Sequence, residues 1–377
     1  MDTQQSSFTF LGSLIITLLI LIFPSFASAG MVETVAGEFS GEISFHSDSI
    51  KVGDRQIALA DVLYLKTDGA PKGHSSLSAV RMIDGEVIFG DIVTGSSKQL
   101  NIRCKWFGLK PLKLSRVSAL EFLHNDLLPT GKPKTLYRKE GQPIPGALVW
   151  VAKDSIGIES PLGTVKIPRQ GLVRYVCDNK HPLPTFPDIN GIDEIGLKDG
   201  NVFRGSLRLD NGMVHLEHLL GGSMAFPASM VQFIVRHRPT MVELSNLKHE
   251  VISEAKGVLG KGNQSAVSNA SISGFIRSTR IEPQVRIRYT LPDRSGKKML
   301  CRATLSPLRM ARGMTRFTIA VGNQVLLEKN LLPLDDPHPF EVQVPEGEEL
   351  VVGVDFGPLV RFPCGVIMQD AHLVVIN

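Results

Sequence analysis

The chain has 377 residues, a formal net charge of +4 at pH 7 and 43% hydrophobic residues, with 35 Gly, 23 Pro and four Cys. That length is too great for one small core and suffices for two or more domains. Beyond residue 29 no stretch sustains a long 3.6-residue apolar period or a second membrane span, so strands and turns dominate the expected structure.

The first element is residues 1–29. An apolar run from Phe10 to Phe23 is broken only by Gly12, Ser13 and Thr17, and Pro24 ends it. A bilayer-spanning helix needs roughly 20 apolar residues, so this shorter run reads as a signal-peptide core. Ala27-Ser28-Ala29 offers a cleavage site that leaves Gly30 as the mature N-terminus. The leading segment carries Asp2 and no basic side chain, so an uncleaved anchor is the alternative. Export implies a secreted, periplasmic or cell-surface location.

A repeat follows. Its first mark is Asp84-Gly85 with Gly90, then Glu140-Gly141 with Gly146, then Asp199-Gly200 with Gly205. Acidic-Gly pairs suit tight turns between strands, and the second Gly marks a bent or crowded strand. Its second mark is an alternating strand, a break and an apolar strand: Ile57–Ala60 then Val62–Leu65, Leu112–Ser115 then Leu120–Phe122, Val165–Pro168 then Leu172–Val176, and Met224–Pro227 then Met230–Val235. Units are expected at 35–66 (degenerate, because Gly37 and Gly41 stand one residue closer), 77–124, 136–178 and 193–237. This strand-turn-strand pattern with its late strand pair resembles the Sm-like small β-barrels. The resemblance implies tandem barrels; the aromatic and Arg-rich RNA signatures are missing, so no nucleic-acid partner is expected.

Within the second unit, residues 98–139 hold ten Lys or Arg against Glu121 and Asp126. Arg103, Lys105, Lys110, Lys113 and Arg116, with Trp106 and Phe107 among them, form a candidate contact for an anionic polymer or membrane surface. Trp106 would stack on a sugar ring or sit at an interface. The competing reading buries Trp106 and turns the cations outward.

From about residue 242 the pattern changes. Strands are expected at 278–291, 298–306, 315–321, 324–330, 340–344, 350–356 and 365–376, a number that suggests a β-sandwich. Residues 316–321, 322–327, 340–344, 349–354 and the closing Gln369-Asp370-Ala371-His372-Leu373 resemble the putative carbohydrate-binding module NPCBM, a jelly-roll module attached to glycoside hydrolases. That resemblance implies a galactose-binding-like sandwich at 242–377 and a glycan ligand. Two departures stand out: Gly274-Phe275-Ile276-Arg277-Ser278-Thr279 replaces the family's Gly-x-Gly-Thr-His, and residues 242–377 contain no Trp and only Tyr289.

Cys301 and Cys364 fall on strands of this module and are a disulfide candidate, whereas Cys104 and Cys177 are expected to be unpaired. No C-x-x-C or Cys/His cluster implies a metal, and no cofactor motif is present; Asp335, Asp336 and Asp355 are read as exposed loop carboxylates. His215 and His218, three apart on a strand, point to opposite faces. Without a G-x-S-x-G, H-E-x-x-H, Walker or G-x-G-x-x-G motif, no catalytic site is expected. The sequence thus reads as an all-β, exported, non-catalytic binding protein, with a scaffold for protein partners built on the repeats as the alternative.

Overall fold

The computed structural model describes residues 28–69, 78–123, 132–161, 163–177, 190–219, 222–253, 267–272, 275–294, 296–308, 313–356 and 365–376. Residues 1–27, most of the expected signal peptide, lie outside them, as does Cys364. The described chain is strands joined by turns and four one-turn 3-10 helices, with no α-helix.

Twenty-one strands form one antiparallel sheet system in four groups. The first group is β1 (Ser28–Thr34), β2 (Gly37–His46), β3 (Ser49–Val52), β4 (Arg55–Ala58) and β5 (Val62–Thr67). The second is β6 (Ser78–Met82), β7 (Val87–Ser96), β8 (Gln99–Cys104), β9 (Gly108–Lys113) and β10 (Val117–Glu121). The third is β11 (Thr135–Arg138), β12 (Ile144–Pro145), β13 (Ala147–Val151), β14 (Ser155–Ser160), β15 (Gly163–Pro168) and β16 (Leu172–Val176), with β12 and β13 together in the place of one strand. The fourth is β17 (Asp193–Leu197), β18 (Val202–Asp210), β19 (Met213–His218), β20 (Ser223–Pro227) and β21 (Val231–Arg236).

Each group is a meander whose last strand returns to pair with its first, and the register repeats. Val32 opposes Leu65, Val80 opposes Leu120, Leu136 opposes Tyr175 and Ile195 opposes Ile234. The turn glycines Gly85, Gly141 and Gly200 all take φ between +85° and +93°, which a residue with a Cβ adopts rarely. A Cβ on the second glycine, at Gly90, Gly146 or Gly205, would fall on the backbone carbonyl of Arg103, Glu159 or Glu217. The bent strand crosses its neighbour too closely for any side chain.

The expected closed barrels are corrected to open sheets. A strand has two hydrogen-bonding edges, and both edges of the last strand are used: β5 bonds β1 and β21, and β10 bonds β6 and β16. Nothing is left to pair with the fourth strand. The groups instead join in pairs, first with fourth about Leu65–Ile234 and second with third about Leu120–Tyr175. The second and fourth groups dock about Val87–Val202 with twofold character. Glu86 Oε1 accepts from Arg204 N (2.7 Å), and Asn201 Oδ1 accepts from Phe89 N (2.8 Å). One hydrophobic cluster runs through all four groups.

The remaining strands are β22 (Met241–Glu243), β23 (His249–Ser253), β24 (Val267–Ile272), β25 (Phe275–Ile281), β26 (Val285–Thr290), β27 (Lys298–Pro307), β28 (Thr315–Val321), β29 (Gln324–Leu331), β30 (His338–Val344), β31 (Glu349–Phe356) and β32 (Val366–Ile376). Six of them form the sheet β24-β25-β32-β27-β30 with β22 beside β32, and five form β23-β26-β31-β28-β29. The two sheets enclose a second core that includes Tyr289, Cys301, Phe317 and Leu373, which makes this region a β-sandwich. The single long strand expected over 278–291 is instead two strands on different sheets, broken at Pro283–Gln284, where Gln284 has φ +63°. A third apolar cluster, with Tyr64, Phe89, Val235, Met241 and Val374, joins the repeats to the sandwich.

Candidate functional site

The site forms where β32 changes neighbours. Residues 366–369 pair with β25 and residues 372–374 with β22, leaving Asp370 and Ala371 between the two partners. On the other edge the register with β27 shifts at the same point, and Asp370 takes φ +50°. This bulge opens a small surface cleft facing the first repeat. Glu243, Asp370, Ser245, Thr279, Tyr64 and His372 line it, with Met241 and Ala371 as its apolar part.

Behind the cleft, pairing register builds a row across four strands: Glu341, Arg302, His372 and Glu243. Glu33 of β1 packs onto this row. Its Oε1 lies 2.9 Å from His372 Nε2 and accepts from Arg302 Nη1, while Arg302 Nε donates to Glu341 Oε2 at 2.7 Å. Burial pushes the Glu33 carboxyl up, but His372 and Arg302 outweigh it and leave the carboxyl below the usual range. His372 Nδ1 lies 2.6 Å from the Asp370 carbonyl, so both ring nitrogens are engaged. Lys66 Nζ stands 3.7 Å from Asp370 Oδ2. The arrangement is a hydrogen-bonded polar row in which both His372 ring nitrogens face acceptors, the Glu33 carboxylate and the Asp370 carbonyl.

The basic stretch divides. Arg103, Lys105 and Lys113 are exposed, whereas Lys110 and Arg116 are half-buried. Arg116 pairs with Asp84 at 2.9 Å, and Lys110 Nζ lies 5.5 Å from the Phe107 ring centre. Trp106 is half-buried. Its Nε1 donates to Asp199 at 2.7 Å, its ring meets Phe226 edge-on and Lys105 Nζ sits over its face at 4.5 Å. The β8–β9 turn therefore plugs the fourth repeat, because Asp199 satisfies an indole N–H that would otherwise be buried alone.

Burial pushes the Cys301 thiol up to about 12, and Cys301 is a free thiol in the sandwich core. Its expected partner Cys364 lies outside the described residues. Asp355 lies between Arg286 (3.4 Å) and Arg316 (4.0 Å), and Asp335 Oδ2 caps Leu332 N, so both carboxylates are engaged. His215 is half-buried and His218 buried beside Glu86. The sequence reading missed Glu33 and Arg302 because a charge on an alternating strand looks solvated until the opposing surface is known. Among the described residues no helix is long and apolar enough to cross a membrane.

No family model and no curated protein matches the chain. Three solved structures are similar to it. One holds CBM51-2, in complex with GlcNAc, and the INT domains of Clostridium perfringens ZmpB; it is 12% identical over 45% of this chain and 37% of that one, at a TM-score of 0.27. The tandem CBM51 modules of Sp3GH98, a family 98 glycoside hydrolase of Streptococcus pneumoniae, are 11% identical over 89% and 88%, at 0.26. The M60 catalytic domain with both CBM51 domains of C. perfringens ZmpB is 9% identical over 90% and 44%, at 0.27. This chain thus spans under two thirds of the first and third. At such TM-scores the likenesses carry no argument about fold or function.

Proposed function

We propose that this chain is an exported, non-catalytic binding protein that attaches to a glycan through its C-terminal sandwich, with the sugar seated in the cleft at Asp370. The observation that carries this reading is the cleft's lining. Glu243, Asp370, Ser245, Thr279 and Tyr64 line one small cleft, and sugar hydroxyls are donors that carboxylates and hydroxyls accept. The NPCBM-like sequence of the sandwich and the four joined strand groups that precede it agree with a binding module carried on a scaffold. The exposed cations Arg103, Lys105 and Lys113 are a secondary contact for an anionic partner in the same reading.

The test is a glycan array probed with the mature protein and with a Glu243→Gln/Asp370→Asn double variant. Binding to defined glycans that falls at least tenfold in the variant is expected, with thermal stability unchanged. Retention of binding by the variant sinks the cleft assignment. A protein that captures no glycan, while binding protein partners through the repeats, returns the scaffold alternative.

A further inference from the structure

The chain's second Trp lies on a different surface. From β9 through β8, β7, β13 and β14 to β15, strands of the second and third repeats are hydrogen-bonded in unbroken order. Residues opposed across strands point to the same face. One row of that shared face therefore holds Lys113 and Gln99, then Ser96 and Trp150, then Gly157 and Lys166. At about 4.8 Å per strand the row spans roughly 24 Å.

Trp150 is half-buried, yet it takes no part in the core that Leu148 and Val151 enter from the opposite face. Its indole lies over Gly157, where a Cβ would collide with the ring. Gly157 keeps the surface flat beneath the indole, as a strand glycine does where another group must approach closely. Fixed polar groups adjoin it: Asn101 Nδ2 donates to Thr94 Oγ1 at 2.9 Å, and Gln99 Nε2 to Asn101 Oδ1 at 3.3 Å. Lys98, Lys113 and Lys166 are exposed, and none is within ion-pair distance of a carboxylate among the described residues. Glu159 on β14 and Asp154, whose carboxyl feels the charge of Lys166, are the opposing charges nearby.

We propose that this face is a second binding surface, independent of the sandwich cleft, for an acidic polysaccharide whose sugar rings stack on Trp150 while its carboxylates meet the flanking lysines. An indole supplies a flat apolar area for sugar C–H groups, and amides and hydroxyls beside it bond the sugar hydroxyls. Three exposed cations, of which Lys166 also faces Asp154, favour an anionic chain over a neutral one.

Because the chain has only two Trp, fluorescence separates them. Full-length Trp106→Phe and Trp150→Phe variants are titrated with alginate, polygalacturonate and neutral dextran at low and high salt. Emission from the Trp106→Phe protein should shift with at least one acidic polymer and not with dextran. The Trp150→Phe protein, which keeps a ring over Gly157, should shift much less than the Trp106→Phe protein. Affinity should fall at least tenfold in Trp150→Ala at unchanged melting temperature, and several-fold with a flattened salt dependence in Lys113→Glu/Lys166→Glu. The Glu243→Gln/Asp370→Asn cleft variant should bind these polymers as the wild type does, which separates the two sites. The proposal is overturned if the wild type binds neither acidic polymer, if Trp150→Ala binds undiminished, or if dextran binds as tightly as alginate.

Discussion

Two buried glutamates respond to pH in opposite senses. Burial pushes the Glu86 carboxyl above its usual range; His218 and the Arg204 N–H lower it less than burial raises it, and Glu86 Oε2 has no hydrogen bond among the described residues. A raised folded-state pKa means that its contribution is fully present below the unfolded pKa and is lost as pH rises through the folded one. Glu33 is depressed, so its contribution is present above the unfolded pKa and lost as pH falls through the folded value. Glu86→Gln keeps an acceptor for Arg204 N without the charge. It should therefore match or exceed wild-type stability at pH 8 and lose that advantage on acidification toward pH 4. Glu33→Gln should cost about 3 kcal/mol at pH 7, the scale for breaking a buried pair, and progressively less in acid. Thermal unfolding across a pH series checks both, and parallel curves for either variant and wild type would contradict the assignment.

At the level of the strand, the repeat is held by glycine geometry. Gly205→Ala places a methyl on the Glu217 carbonyl and should cost about 3 kcal/mol or more, since backbone cannot give way as a side chain can. Gly53 has φ +56°, and a methyl there would meet nothing within 4 Å, so Gly53→Ala should cost only about 1 kcal/mol. Urea denaturation of the pair measures the difference; equal losses would show that crowding at the bend is not what selects glycine. The third repeat departs from the others, because Pro143 and Pro145 remove N–H donors beside the bend. It is also the one whose turn, Lys139–Gln142, stays fully exposed.

Across the whole molecule, repeats and sandwich share buried structure. Met241, Val374 and Glu33 with Arg302 and His372 cross the junction. Residues 242–377 expressed alone lose Met241 from β22 and leave Arg302 without Glu33. That fragment should melt well below the full chain, which should unfold in one transition over the junction. A fragment as stable as the intact protein would make the two regions independent neighbours.

The sequence alone determined the all-β class, the threefold turn-and-glycine recurrence and most sandwich strands, including 315–321 to the residue. Each rests on local chemistry: period-two alternation and the acidic-Gly turns at Gly85, Gly141 and Gly200. Tertiary structure decided the rest. That the last strands pair between repeats, so that no barrel closes, depends on contacts over 160 residues apart in the chain, such as Leu65 with Ile234, which no local pattern encodes. The roles of the two Trp were equally illegible. Trp106, flanked by cations, was open to both a stacking and a buried reading and is anchored by Asp199, whereas Trp150, in the apolar run Ala147–Val151, lies over Gly157 on the outer face. An aromatic's local sequence states its neighbours along the chain, and its function is set by which face the sheet gives to solvent.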